Sequence, residues 1–214
     1  MTVVTSTGKY LTVNAYQHPD LFWALRGGGG GTWGVVVSVT YQTHPSPPIL
    51  AASFLTSINV SMPNAQVTPS PTLRRLFTEF VRLTPAMADS GWSGYADFLA
   101  SEGTGHPALR AWYIAPATAW ETAVPVMEQF YAFARELAAN SSVENGGELR
   151  INTAAVTPLP SFGAWETMLF RGKSGQVGEN VELGSRLLPR SLLIHNHTEV
   201  AEAVLDLELP FTGF

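Results

Sequence analysis

Five consecutive glycines, Gly27–Gly31, separate the aromatic-rich run Leu21–Arg26 from the valine-rich run that begins at Val35. Glycine loses more backbone freedom on ordering than any other residue. A run of five is therefore costly unless the backbone there must turn sharply or approach something closely. Two readings are open. The run caps a helix and supplies a flexible turn, or it lets backbone N–H groups reach an anion without side-chain obstruction. Residue types alone favour the cap and turn. Gly29, Gly31 and Gly34 fit the spacing G-x-G-x-x-G, but a dinucleotide fingerprint runs strand, glycines, helix. Here the order is helix, glycines, strand, so that reading is rejected.

The rest of the composition narrows the field. A chain of 214 residues, 45% hydrophobic, suits one large or two small domains with a real core. A net charge of −5 with no Lys/Arg cluster argues against a nucleic-acid partner. The absence of cysteine excludes disulfides, thiolate catalysis, zinc fingers and iron–sulfur clusters. No stretch approaches the roughly 20 apolar residues of a membrane span, and no membrane partner is expected. The start, MTVVTSTGKYLTV, lacks the basic head and apolar run of a signal peptide. Three sequons, Asn59-Val60-Ser61, Asn140-Ser141-Ser142 and Asn196-His197-Thr198, are glycosylation acceptors if the chain enters the secretory pathway.

Along the chain, residues 3–13 predict a hairpin turning at Ser6–Lys9. Pro19, Asp20 and Gly27 bound a short helix with Leu21 and Leu25 on one face. Thr32–Thr43 reads as a strand, and His44–Pro48 marks a boundary because proline cannot continue a ladder. Ile49–Ile58, Tyr95–Ala100, Ala108–Ile114 and Leu149–Val156 read as strands. Ser70-Pro71 opens a helix with Leu73, Leu76, Phe77 and Phe80 on one face. Thr118 and Glu121 predict a capping box for a long helix that Pro125 should kink. A last helix is placed around residues 197–207. Without regular βαβ alternation, the fold class is α+β.

Several motifs fail on inspection. Arg171–Ser174 imitates the end of a P-loop, but Thr167 stands where its upstream glycine belongs. Gly91-Trp92-Ser93-Gly94 lacks the final glycine of a nucleophile elbow, because Tyr95 replaces it. His195 and His197 share a side only in a strand and have no third ligand, so a surface pair is the better reading and no metal is expected. His18, His44 and His106 adjoin proline and read as loop residues. The six tryptophans read as core or pocket lining. No close carboxylate pair suggests glycosidase chemistry.

One resemblance goes further. Asp20–Arg26, Gly27–Gly31 and Thr32–Val36 together resemble the end of the flavin-binding domain of FAD-linked oxidases. The branch is the berberine-bridge-enzyme-like one of the vanillyl-alcohol-oxidase (PCMH-type FAD-binding) superfamily. The preceding VVTSTGKYLTVNAYQHPD is similar to the hairpin that family carries just before the motif. Asn180–Arg190 resembles a stretch in the substrate domain of fungal members, and the similarity runs from residue 1 to about residue 200.

The resemblance implies that residues 1–46 are the C-terminal remnant of an FAD-binding domain. Residues 47–214 would be a substrate domain, incomplete at its C-terminus: an antiparallel sheet with helices on one face, roofing the flavin. It implies FAD as cofactor, held near Gly30, Gly31, Thr32, Trp33, Gly34, Val35 and Val36. Hydride would pass from a small-molecule substrate to flavin and on to oxygen, in a family that is secreted. Strand alternation adds Tyr95, Trp112 and Tyr113 as pocket candidates; the catalytic residue is unknown. The family's upstream pyrophosphate loop, its flavin-linking histidine and cysteine, and its C-terminal asparagine/tyrosine-rich motif have no counterpart here. The tail Asp206–Phe214 is also unlike the family. The chain thus reads as a fragment, and a non-catalytic remnant or a binding module without cofactor stays open as the alternative. An apolar edge at Val35–Val39 is expected to promote self-association.

Overall fold

The computed structural model describes residues 1–59, 70–99, 108–145, 147–170 and 186–206. Contacts divide the chain into two units, Met1–Pro45 and Ser46–Phe214. The division falls inside the proline-rich stretch, where no ladder can form.

In the first unit, β1 (Thr2–Val4) and β2 (Tyr10–Thr12) form the hairpin. Its turn is closed by the Gly8 N–H donating to Thr5 O at 2.9 Å, with Gly8 at φ 77°. Helix α1 spans Pro19–Gly28, with Pro19 in its first turn. Strand β3 (Val35–Ser38) pairs antiparallel with β1, giving the order β2-β1-β3. A small core forms where Leu25 of α1 meets Val3 and Val13, with Leu11, Leu21, Phe22 and Val36 packed around them.

The second unit is a four-stranded antiparallel sheet backed by helices. Its strands are β4 (Ile49–Asn59), β5 (Ser93–Leu99), β6 (Ala108–Pro116) and β7 (Glu148–Leu159), in the order β5-β6-β4-β7. Helices α2 (Pro71–Asp89) and α3 (Trp120–Ala139) carry the apolar stripes that cover one sheet face. Short helices α4 (Phe162–Phe170), α5 (Arg190–His195) and α6 (His197–Leu205) follow β7. Leu50, Ala52, Phe54 and Ile58 alternate along β4 into the core. There Phe54 stacks on Tyr131 at 5.6 Å and meets Phe130 edge-on at 4.9 Å. Arg74 of α2 ties α6 down through ion pairs to Glu202 and, at 2.6 Å, to Asp206.

The α+β class and the helices-on-one-face arrangement stand. Other expectations are corrected. The strand read over Thr32–Thr43 is only Val35–Ser38. Its partner β1 is three residues long, so the ladder ends early. The capping box does not form: the N-cap of α3 is Ala119, with no side-chain cap bond. The chain leaves β6 through Ala117 at φ 51°, and the Thr118 hydroxyl donates to Pro116 O at 3.0 Å instead. Pro125 does lie inside helix α3. Trp92 is buried, its Nε1–H donating to Ala123 O at 2.7 Å, whereas Trp23, Trp33 and Trp120 are exposed rather than core. Helices α4 and α5 were not legible in the sequence pattern. Arg171–Ser174, His106, Ala100 and residues 207–214 of the tail lie outside the described residues.

Replacing Phe54 by alanine removes the ring on which Phe130 and Tyr131 both rest. The expected loss is about 3–5 kcal/mol, read from urea unfolding. Tyr131→Phe, which loses only a hydroxyl bonded to Ser53 O at 3.1 Å, should cost about 1 kcal/mol. Equal losses for the two variants would contradict this packing.

A glycine turn and an open sheet face as candidate sites

The glycine segment is a closed turn. Helix α1 runs through Gly27 and Gly28 and ends at Gly29, whose N–H donates to Leu25 O at 3.1 Å. Gly29 sits at φ 88°, where a side chain is strained. The Thr32 hydroxyl donates back to Gly29 O at 2.9 Å, and the Val36 N–H donates to Gly30 O at 3.2 Å. At Gly34 a Cβ would lie 2.8 Å from Val4 O, so β1 and β3 close only over glycine there. At Gly28 it would meet Thr32 Oγ1 at 2.8 Å and the Trp33 indole nitrogen at 2.9 Å. At Gly27 and Gly31, by contrast, a Cβ would meet nothing within 4 Å.

Of the seven residues implied by the resemblance, the turn gathers Gly30, Gly31, Thr32, Trp33 and Gly34. Val35 points outward and is exposed, as is Trp33. Val36 points inward and packs on the small core, so only its backbone is available at the surface side. Arg26, in the last turn of α1 with its guanidinium 5.5 Å from the Phe22 ring, adds a cation beside the glycines. It was not singled out from sequence.

The second place is the sheet face opposite α2 and α3. Register sets Tyr95 of β5 against Trp112 of β6, Asp97 against Arg110, and Ser53 of β4 against Trp112. The Arg110 guanidinium lies 4.3 Å from the Trp112 ring centre and donates from Nη2 to Asp97 at 3.0 Å. Its Nε is buried without a hydrogen-bond partner. Trp112 is thus clamped from one side, while Tyr95 stands 77% exposed beside it. Tyr113 does not join them. It alternates to the helix face, where its ring meets Phe80 edge-on at 6.3 Å. Arg110 and Asp97 were missed in the sequence. The signal was available only as a pair, Asp97 and Arg110 two residues from Tyr95 and Trp112 on facing strands.

The histidine expectation is corrected in part. His195 ends α5 and His197 begins α6, so the strand that would align them does not exist. His197 is half-buried, with its Nδ1 enclosed and unpartnered, and is not a surface turn residue. Among the described residues no three His, Cys, Asp or Glu side chains cluster to hold a metal, and no helix there is long and apolar enough to cross a membrane.

No family model matches the chain. An "Uncharacterized FAD-linked oxidoreductase" of Arthroderma benhamiae is 32% identical over 213 residues, covering 99% of this chain and 33% of the relative. FAD-linked oxidoreductase patO of Penicillium expansum is 29% identical over 96% of the chain and 32% of the relative. Among solved structures, the VAO-type flavoprotein MtVAO713 from Myceliophthora thermophila C1 matches with a TM-score of 0.61 at 21% identity, over 95% of this chain and 34% of its own. MtVAO615 from the same organism matches with a TM-score of 0.57 at 24% identity, over 96% of this chain and 33% of its own. By sequence the chain is related to fungal FAD-linked oxidoreductases. Its fold is that of a part of the VAO-type flavoproteins, and it spans about a third of the length of the proteins it matches.

Burial raises the phenols of both Tyr113 and Tyr131 above the ordinary tyrosine value; for Tyr131 the nearby Glu128 adds to the effect and Arg135 opposes it. A raised folded value means the folded state keeps protons that the unfolded chain gives up. Stability is therefore whole below about pH 10 and falls as pH rises beyond it. Urea unfolding at a series of alkaline pH values should show that decline. Replacing both tyrosines by phenylalanine should flatten it, and an unchanged slope in the double variant would contradict the assignment.

Proposed function

We propose that the chain is part of a secreted, berberine-bridge-enzyme-like FAD-dependent oxidoreductase that oxidises a small organic molecule. Residues 1–46 form the last strip of its flavin domain and residues 47–214 the larger part of its substrate domain. The observation that carries the reading is the glycine turn. Gly29 and Gly34 answer demands inside the unit and Gly28 sits against the Thr32 and Trp33 side chains; Gly30 meets only an ordinary contact with Val36, and Gly27 and Gly31 answer no demand at all. A large flat ligand lying against the turn supplies the missing demand, because a side chain at either position would lift it off the backbone.

The residues present fit that group. Gly30, Gly31 and Gly34 leave backbone edges open, and Thr32 holds the turn shut through its bond to Gly29 O. Trp33 and Val35 offer exposed apolar surface that excludes water, and Arg26 favours an anionic ligand. When bound, FAD supplies the capacity to accept a hydride. On the sheet face of the second unit, Tyr95 and Trp112 offer flat surfaces for a substrate. Arg110 and Asp97 fix the Trp112 ring and add polar edges. The Arthroderma benhamiae and Penicillium expansum relatives are FAD-linked oxidoreductases by name, which supports the cofactor.

Gly31→Leu tests the reading directly, since a Cβ at Gly31 meets nothing within 4 Å. The chain is incubated with FAD, desalted and examined for retained flavin absorption. The native chain should keep colour, and Gly31→Leu should weaken retention about tenfold, about 1.4 kcal/mol, with unchanged circular dichroism. A native chain that stays colourless favours the cofactor-free binding module. Equal retention by both proteins removes the glycine turn from the flavin site.

Strand β3 ends the order β2-β1-β3 and exposes Val35 and Val37. We propose that this edge drives self-association. Size-exclusion chromatography should show a concentration-dependent shift to larger species, and Val37→Lys should abolish it by placing a charge on the edge. A native chain that is monomeric at all concentrations would refute this.

A further inference from the structure

The three sequons are not equivalent in the folded chain. Asn59 ends β4, with its amide nitrogen 3.4 Å from Glu148 Oε2, and Val60 and Ser61 lie outside the described residues. Asn140 closes α3: its amide nitrogen donates to Glu136 O at 2.8 Å. Its sequon hydroxyl, Ser142, is half-buried in the next turn, where it accepts the Asn145 N–H at 3.2 Å. Asn196 differs in each respect. Its backbone is fixed on both sides, the N–H donating to Leu192 O at 2.8 Å and the carbonyl accepting from the Val200 N–H at 3.0 Å. Its side chain is exposed and forms no cap bond. Thr198 is exposed in the first turn of α6, and its β-branch restricts the hydroxyl more than serine's freedom does.

A second observation lies beside it. Leu192 and Ile194 of α5 are exposed, and Leu192, four residues before Asn196, shares its helical face. Aliphatic surface next to a free asparagine is what the apolar face of a proximal sugar covers. We propose that Asn196 carries an N-linked glycan, a proposal that rests on the secretory reading of the parent protein. In that transfer the Asn196 Nδ2 forms a bond to the anomeric carbon of an oligosaccharide carried on a lipid pyrophosphate. The bond from that carbon to the pyrophosphate oxygen breaks, the lipid pyrophosphate leaves, and one amide proton passes to the transferase. Nothing is oxidised or reduced.

The test expresses the full chain behind a cleavable leader in a secreting fungal host and reads glycosidase sensitivity on the folded, secreted product, with circular dichroism confirming the fold of each variant. Asn196→Gln and Thr198→Ala should each remove at least half of the glycosidase-sensitive product, while Thr198→Ser and Asn140→Gln should keep most of it. No glycosylated product, or a loss smaller than half in Asn196→Gln, overturns the proposal. Fractionation of the source organism judges the secretory reading separately: a parent protein confined to the cell interior would sink that reading while leaving the acceptor result standing.

Discussion

Strand β4 is the element on which the second unit depends. It is paired on both edges, by β6 and β7, over most of its eleven residues. Every other residue of it is pressed under helices α2 and α3. At its centre Phe54 holds Phe130 and Tyr131, aromatic contacts worth about 0.5–1.5 kcal/mol each beyond the area they bury. Tyr131 could not lie there as an unbonded phenol, since a buried hydroxyl without a partner is expensive. It solves this by donating to Ser53 O at 3.1 Å, on the very strand its ring covers. Sheet and helix layers are thereby locked by one residue, and on the opposite face Tyr95 stays exposed beside Trp112.

What was legible in the sequence was periodic. The apolar stripe of α2, its Ser70 cap, bonded to the Leu73 N–H at 3.2 Å, and the alternation of β4 and β6 are local patterns that burial then satisfied. What was not legible depended on where the chain turns. Thr118 and Glu121 have the spacing of a capping box, yet Ala117 at φ 51° moves the helix start one residue on. The valine-rich run has strand propensity well past Ser38, but propensity needs a partner, and β1 offers only three residues. The tryptophans read as core or pocket lining because their neighbours are apolar; the exposure of Trp23 and Trp33 removes the core half of that reading for these two.

The candidate sites divide along the same line. The glycine turn was visible as a motif because its residues are contiguous. The cluster of Tyr95, Asp97, Arg110 and Trp112 was visible only in part, because it exists through antiparallel register between two strands. Trp112 and Tyr113 were grouped as pocket candidates, but successive residues of a strand face opposite ways, so only one of them can share a face with Tyr95. The helices took Tyr113, and burial that raises its phenol also withdraws it from the open face.

The glycines themselves now separate by cause. Gly29 is required by its positive φ at a helix end and Gly34 by the closure of β3 on β1, while Gly28 sits against the ends of the Thr32 and Trp33 side chains. Gly29 and Gly34 answer the cap-and-turn reading, and they need no ligand. Gly27 and Gly31 cannot be explained in that way, because alanine would fit at both without contact and would lower the entropy cost of folding. Glycine at Gly27, still within helix α1, has a lower helix propensity than alanine, and no contact within the unit offsets that. The opening alternatives are therefore not exclusive: Gly29 and Gly34 serve the backbone of the turn itself, and the proposed flavin site rests on the surplus at Gly27 and Gly31.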